Sequence, residues 1–216
     1  MIKSIFNPII GIFVALFGLF TPSPDIDMQN ITLQAEYDNP TSEEMNSAVA
    51  LIRTRLDSIG CTEARLEISD NNQLEIFYPS ETDREKLIYV ITSPAELRLV
   101  DADGNLLLDN SHITSATARF DSLGADGSNV HYVELNFTEE GRKLFAEATE
   151  RISQLPSGEN SIAITVDGQI ISCPSVMAKI ESPTVVISGD FTADTATHLA
   201  AILNSGCLPF SFSIVE

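Results

Sequence analysis

From Ile31 to Val100 the spacing of apolar residues changes period in a fixed order, and that order restricts the fold more than any other feature of the chain. Ile31, Leu33, Ala35 and Tyr37 alternate with polar residues, the pattern of a strand with one buried face. Thr41-Ser42-Glu43-Glu44 then reads as a capping box, in which the Thr41 hydroxyl and the Glu44 carboxylate each accept from the other's backbone N–H. Met45, Val49, Ile52, Leu56 and Ile59 follow at helical spacing, and Gly60 supplies a left-handed stop. Two more alternating runs, Ala64/Leu66/Ile68 and Leu74/Ile76/Tyr78, are joined through Asp70-Asn71-Asn72, residues that tolerate a tight reversal. Ser80 with Asp83 opens a second helix carrying Leu87, Ile88 and Ile91, and Ser93-Pro94 stops it because the residue before proline is pushed out of helical geometry. A fourth strand over residues 96–101 closes the series.

The order β-α-β-β-α-β predicts an α+β fold with a ferredoxin-like base, two helices covering one face of an antiparallel sheet. The other face is left for solvent or a further element. Beyond Asp101 the spacing changes: Asp103-Gly104 and Asp167-Gly168 sit between apolar runs and read as tips of hairpins with positive φ angles. Val133, Leu135 and Phe137 predict a strand leading through Thr138 into a helix over 139–154, whose Glu139 and Glu140 face the positive end of the helix dipole. Ile162/Ile164/Val166 and Val185/Ile187 are strand-like, a further helix starts at Thr192 and stops at Gly206, and residues 208–215 form a last strand. Residues 121–129, with Gly124, Asp126 and Gly127, read as a mobile loop.

The first twenty residues are of different composition. Lys3 is followed by Ile5, Phe6 and an unbroken apolar run over 9–20, and no acidic residue occurs before Asp25. At ~1.5 Å per residue the segment reaches about 24 Å as a helix, so it reads as a signal peptide or a short anchor. The junction Gly18-Leu19-Phe20-Thr21-Pro22-Ser23-Pro24 lacks an A-x-A-like cleavage pattern and favours a retained anchor, followed by a linker over 21–30. The body then lies in the cell envelope outside the cytoplasm, held by one span, or is secreted if the segment is cleaved. Cys61, Cys173 and Cys207 are far apart, without C-x-x-C spacing, and read as small buried residues, although one pair could oxidise outside the cytoplasm.

Acidic residues outnumber basic ones 31 to 12, for a formal charge of −19, and no Lys/Arg cluster occurs. Nucleic acid is excluded as a partner, because binding phosphates requires a basic stripe. His112, His131 and His198 are scattered, and there is no G-x-S-x-G, no H-E-x-x-H and no phosphate-cradling glycine loop. Asp101-Ala102-Asp103-Gly104-Asn105 has the wrong spacing for a calcium loop. No catalytic residue, metal ligand or cofactor site is assigned, and the chain is read as no enzyme. Phe120, Phe137, Phe145, Phe191, Phe210 and Phe212 are expected in the core.

Several longer motifs carry a resemblance. Glu140-Gly141-Arg142-Lys143-Leu144-Phe145-Ala146-Glu147-Ala148-Thr149 and the run from Ile162 through Val166-Asp167-Gly168-Gln169 to Cys173-Pro174 resemble the first periplasmic domain of the SecD/SecDF family of Sec translocon accessory proteins. Ile187-Ser188-Gly189-Asp190-Phe191-Thr192 is similar to the family's I-x-G-x-F-T, and Leu199-Ala200-Ala201-Ile202-Leu203-Asn204-Ser205-Gly206-Cys207-Leu208-Pro209 to its L-A-x-x-L-x-x-G-A-L-P. Upstream, Arg55-Leu56-Asp57-Ser58-Ile59-Gly60 is similar to R-V-D-x-L-G, and Ala95-Glu96-Leu97-Arg98-Leu99-Val100 to A-x-L-x-F-R-L-V with one residue fewer. The resemblance spans residues 31–216.

It implies a base, an inserted head and a strand returning to the base, here over 31–101, 102–206 and 207–216. It implies contact with the Sec translocon or a SecF-like subunit and with unfolded exported polypeptide, without catalysis. A competing reading of the same fold is an envelope binding module with another partner and no part in export. The family's G-L-D-L-x-G-G is replaced here by Asp27-Met28-Gln29-Asn30, which reads as linker. Full family members carry six membrane spans against one apolar segment here, so this chain is not expected to transduce a proton gradient by itself.

Overall fold

A computed structural model describes residues 26–69, 71–122 and 128–215. The N-terminal apolar segment, residues 21–25 of the linker and the centre of the 121–129 loop lie outside the described residues. Among the described residues no helix is long and apolar enough to cross a membrane. The chain begins with β1 (Met28–Ala35), α1 (Ser42–Ser58), β2 (Arg65–Ile68), β3 (Gln73–Pro79) and α2 (Arg84–Thr92). β4 (Leu97–Asp101), β5 (Leu106–Asp109), a single 3-10 turn (Asn110–His112), β6 (Ile113–Ser122) and β7 (Asn129–Phe137) follow. The remainder is α3 (Glu139–Ile152), β8 (Ile162–Val166), β9 (Gln169–Ser172), β10 (Thr184–Phe191), α4 (Ala193–Ser205) and β11 (Phe212–Val215).

The caps explain where the helices begin. Thr41 Oγ1 accepts from Glu44 N at 3.2 Å while Glu44 Oε2 accepts from Thr41 N at 2.8 Å, the reciprocal box expected from the sequence. Asp83 accepts from the backbone N–H groups of Glu85 and Lys86 to start α2. Thr138 caps α3 through Gly141 N, and Thr192 caps α4 through Thr195 N. Gly60 and Gly206 end α1 and α4 with φ of +82° and +90°.

Three antiparallel sheets result, ordered β11-β1-β3-β2, β10-β7-β6 and β5-β4-β8-β9. In the first, Ile31, Leu33, Leu74, Ile76 and Tyr78 point at α1 and α2 and pack with Met45, Ile52, Leu56, Leu87 and Ile91. Each such side chain contributes about 1.5–3 kcal/mol on burial. The opposite face is mixed, with Thr32, Gln34 and Glu75 beside Phe77 and Val215. The other two sheets share a second core with α3 and α4, built on Leu97, Leu99, Val133, Leu135, Phe145, Ile164, Ile187 and Leu199.

The fourth strand requires a correction. Residues 97–101 form a strand, but it pairs with β5 and β8 in the second core; β11 takes the fourth place in the first sheet, pairing Ala35 with Phe212 and Leu33 with Ile214. Ala95 decides this, because its φ of +64° turns the chain away from the first sheet just before β4. Met28, Gln29 and Asn30, read as linker, are strand, opposite Pro79, Tyr78 and Phe77. The side chains also show why: Gln29 Oε1 accepts from the buried Tyr78 hydroxyl at 3.2 Å.

Other expectations are corrected by exposure. Of the cysteines only Cys61 is buried, while Cys173 and Cys207 are exposed, and all three are free thiols. Phe137, Phe145 and Phe212 are buried and Phe191 and Phe210 half-buried, but Phe120 is 58% exposed and lies against His131 with ring centroids 4.5 Å apart. Tyr37 falls beyond the end of β1 and is exposed. Of the two hairpin tips, Asp167-Gly168 has both φ angles positive (52° and 76°), as its type requires. At Asp103-Gly104 only the glycine does, because the buried Asp101 carboxylate accepts from Asp103 N and Asn105 N and shapes a longer loop.

Gly141 accounts for one motif residue in steric terms. A Cβ there would lie 2.5 Å from the His112 carbonyl oxygen, which already accepts from Thr138 N, so α3 rests directly on the 3-10 turn. Gly141→Ala is expected to cost about 1–3 kcal/mol through overpacking, read as a lowered denaturant midpoint at unchanged slope. An unchanged midpoint would refute the close approach.

Candidate functional site

The first and second cores meet where the chain crosses between them, and the site sits beside that crossing. The outgoing segment after α2 and the returning segment after α4 run together: Leu208 N donates to Pro94 O at 3.1 Å. Arg55, fully buried on α1, clamps both. Its Nη1 donates to Val90 O (3.0 Å) and Ser93 O (2.6 Å), its Nη2 to Gly206 O (3.0 Å) and its Nε to Ser205 Oγ (2.7 Å). Burial lowers its pKa to about 10, opposed chiefly by the charge of Asp167, so it stays protonated at neutral pH.

Asp167, read only as a turn residue, has a second task. Its carboxylate accepts from Glu96 N at 2.8 Å and from the Ser93 hydroxyl, fixing the start of β4. Asn110 bridges the same segment, donating to Ala95 O and accepting from Leu97 N, both at 2.8 Å. Asn204 on α4 both donates to Ala116 O and accepts from Ala116 N, each at 2.7 Å, and so fixes α4 on β6. No motif reading marks these roles, since a polar residue inside an apolar stripe signals a buried partner only once that partner's position is known.

Alongside the crossing, α2, β9, β10 and α4 enclose a mostly apolar groove of about 420 Å³. Its walls are Glu85, Lys86 and Tyr89 from α2, Gln169 and Ile171 from β9, Phe191 from β10, and Thr195, His198 and Leu199 from α4. The positions follow from helix periodicity: on α2, Leu87 and Ile91 face the first core and Val90 the second, leaving Lys86 and Tyr89 to the groove. Lys86 Nζ joins Asp194 Oδ2 across the two helices at 2.7 Å and reaches Asp83 at 3.7 Å. A groove of this character suits apolar side chains with one or two polar anchors.

Among the described residues one cluster has the residue types of acid–base or nucleophilic chemistry, without its geometry. Ser111, His112 and Asp109 come together, but the Ser111 hydroxyl (3.3 Å) and the Asp109 carboxylate (2.9 Å) both meet the same ring nitrogen, Nδ1. A relay needs them on opposite nitrogens; this cluster is the cap of the 3-10 turn. Among the described residues no group of three or more His, Cys, Asp or Glu side chains is placed to hold a metal ion.

Burial in the groove wall pushes the His198 pKa below its ordinary value; Lys86 acts in the same direction, and Asp194 and Asp83 oppose it. With the folded pKa depressed, the unfolded chain takes up the proton more readily. This contribution to stability is therefore complete above the ordinary histidine range and is lost as pH falls through the folded value. An NMR titration of the His198 ring is expected to give a midpoint below about 6.5, and His198→Gln is expected to flatten the acid side of the stability profile. A midpoint at or above that value would contradict the burial.

Residues 87–210 match the family model described as SecDF, P1 head subdomain. The protein translocase subunit SecD of Dictyoglomus turgidum is 28% identical over 214 residues, covering 96% of this chain and 51% of its own length. That of Acidaminococcus fermentans is 30% identical over 203 residues, covering 91% and 46%. The chain thus spans about half the length of the curated relatives it matches. Among solved structures, a crystal structure of SecDF in a super-membrane-facing form superposes with a TM-score of 0.71 at 23% identity, over 88% of this chain and 29% of that one. A structure described as a membrane component SecDF that enhances protein export superposes at 0.67 and 23% identity, over 87% of this chain and 98% of that one. On the match over residues 87–210, more than half of its length, this chain belongs to the SecDF P1 head family.

Proposed function

We propose that this protein is a non-catalytic extracytoplasmic module of protein export that holds segments of exported polypeptide in the groove between α2 and α4. The observation that carries the reading is the groove itself: Tyr89, Ile171, Phe191 and Leu199 give an open apolar surface rimmed by Glu85, Lys86 and His198, in a fold shared with a SecDF that enhances protein export. Unfolded chains expose apolar side chains that such a surface can bury.

The architecture supports a division into base and head. With β11 in fourth place, the first sheet and its two helices have the strand order of a ferredoxin-like split βαβ unit, made from residues 26–93 and 207–215 with the head inserted between. The family match, residues 87–210, takes in the whole stretch between those two base segments. The edges of the base sheet, β11 and β2, and its mixed outer face offer strand addition to a translocon or SecF-like partner. The apolar N-terminal segment would tether the module to the membrane.

A photo-crosslinking residue placed at Ile171 or Tyr89, in membranes actively exporting a model precursor, is expected to form an adduct with the translocating chain. The adduct should fall at least about threefold when Tyr89→Asp or Ile171→Asp makes the groove polar while circular dichroism stays unchanged. Crosslinks to the precursor only from positions outside the groove would overturn the assignment.

A further inference from the structure

Phe191, in the groove wall, pairs onward across its own sheet after a bulge in β10. The register of the second sheet places Phe191 of β10 opposite His131 of β7, and His131 opposite Phe120 of β6. Opposed residues of an antiparallel pair share a face, so the three rings form one row across three strands. The adjacent rows on that face, Ile187–Val133–Ala118 and Val185–Leu135–Ala116, are packed against α4 through Ala196, Leu199 and Ala200. The aromatic row lies one step further along the strands, where Phe120 is left 58% exposed. Phe120 is thus exposed against the half-buried His131 ring, in the strand row to which the groove residue Phe191 belongs.

Charge discriminates between occupants. At the groove the carboxylates of Glu85, Asp83 and Asp194 surround the single ammonium of Lys86. Arg119, the cation nearest the row in sequence, is opposite Tyr132 on the other face and tied to Glu134 at 3.0 Å. A second copy of this chain, formally −19, would meet like charge there.

We infer that the groove and the Phe191–His131–Phe120 row form one continuous track that selects extended polypeptide segments pairing an aliphatic or aromatic residue with a neighbouring lysine or arginine. The inference rests on the proposed polypeptide-holding role and specifies its substrate class. The apolar side chain enters between Tyr89, Ile171 and Leu199, the basic residue meets Glu85, since Asp194 is already paired with Lys86, and the continuation of the segment lies over the row. Crossing from β10 to β6 covers about 10 Å at ~4.8 Å per strand, the reach of about three extended residues. Peptide length is therefore expected to matter up to that limit.

The test is fluorescence anisotropy of the full 216-residue chain with labelled synthetic peptides. The set comprises a five-residue Leu/Phe peptide with two lysines, the same peptide with glutamates, the same with serines, and each lengthened by three residues ending in Phe. The lysine form is expected to bind at least about fivefold tighter than the glutamate form, the gap closing as salt rises. The gain from lengthening is expected to vanish in Phe120→Ser, an exposed substitution that leaves the core intact. Equal binding of lysine, serine and glutamate forms, or a lengthening gain unaffected by Phe120→Ser, would overturn the track while leaving the holding role standing. Binding by none of the peptides at any salt, together with no crosslink at Ile171, would remove both. A peptide-independent rise in particle mass would instead show that a second copy occupies the face, and would equally overturn the inference.

Discussion

One buried guanidinium sets the relation between the two halves of this molecule. Arg55 lies inside α1 with only neutral partners, an arrangement that would ordinarily be prohibitive for a charge removed from water. The partners explain why it is tolerated. Val90 O and Ser93 O belong to the end of α2, and Ser205 and Gly206 to the end of α4, so the cation sits where the negative ends of two helix dipoles converge. The buried carbonyls of Val90 and Ser93 take their donor from this one side chain, and Ser205 Oγ and Gly206 O, which are also joined to each other, complete its shell. The same contacts fix the outgoing and returning crossings against each other, and that is what lets β11 return to the first sheet.

The groove follows from this junction. Because α2 ends on Arg55, its three sides are committed: Leu87 and Ile91 to one core, Val90 to the other, and Lys86 with Tyr89 to the space between them and α4. Asp167 and Asn110 hold the first residues of β4 from the far side, keeping the β8–β9 hairpin, and with it Ile171, at the groove's edge. Groove and fold are thus built from the same few polar contacts.

Much of this was legible in the sequence because the signals were local. The Thr41–Glu44 box, the Asp83 cap, the glycine stops and the alternation in β1 and β3 depend on neighbours within a few residues, and each appears where expected. The return of the last strand was legible through the family resemblance. Long-range matters were not. The alternation in residues 97–101 says that a strand forms but not which sheet it joins, and the left-handed Ala95 that decides it has no composition signal. β6 carried no clear period because much of it is only half-buried or exposed, and for the same reason Phe120 was misplaced into the core. Arg55 is marked in the sequence only as the first residue of a family-like motif, and Asp167 only as a turn residue. Both acquire their roles only when helices distant in sequence meet.

The account stands on the clamp at the crossing, and native-state hydrogen exchange of Arg55→Met against the unaltered chain tests it most directly. Methionine keeps length and burial but leaves the carbonyls of Val90 and Ser93 without their side-chain donor and removes one of the two donors to Gly206 O. The account predicts that protection of the junction amides Leu208 and Glu96, whose partners are Pro94 O and the Asp167 carboxylate, falls by about 2–4 kcal/mol. It also predicts that amides inside α3, distant from the junction, lose less. Unchanged protection at Leu208 and Glu96 in the variant would contradict the claim that this guanidinium joins the two halves.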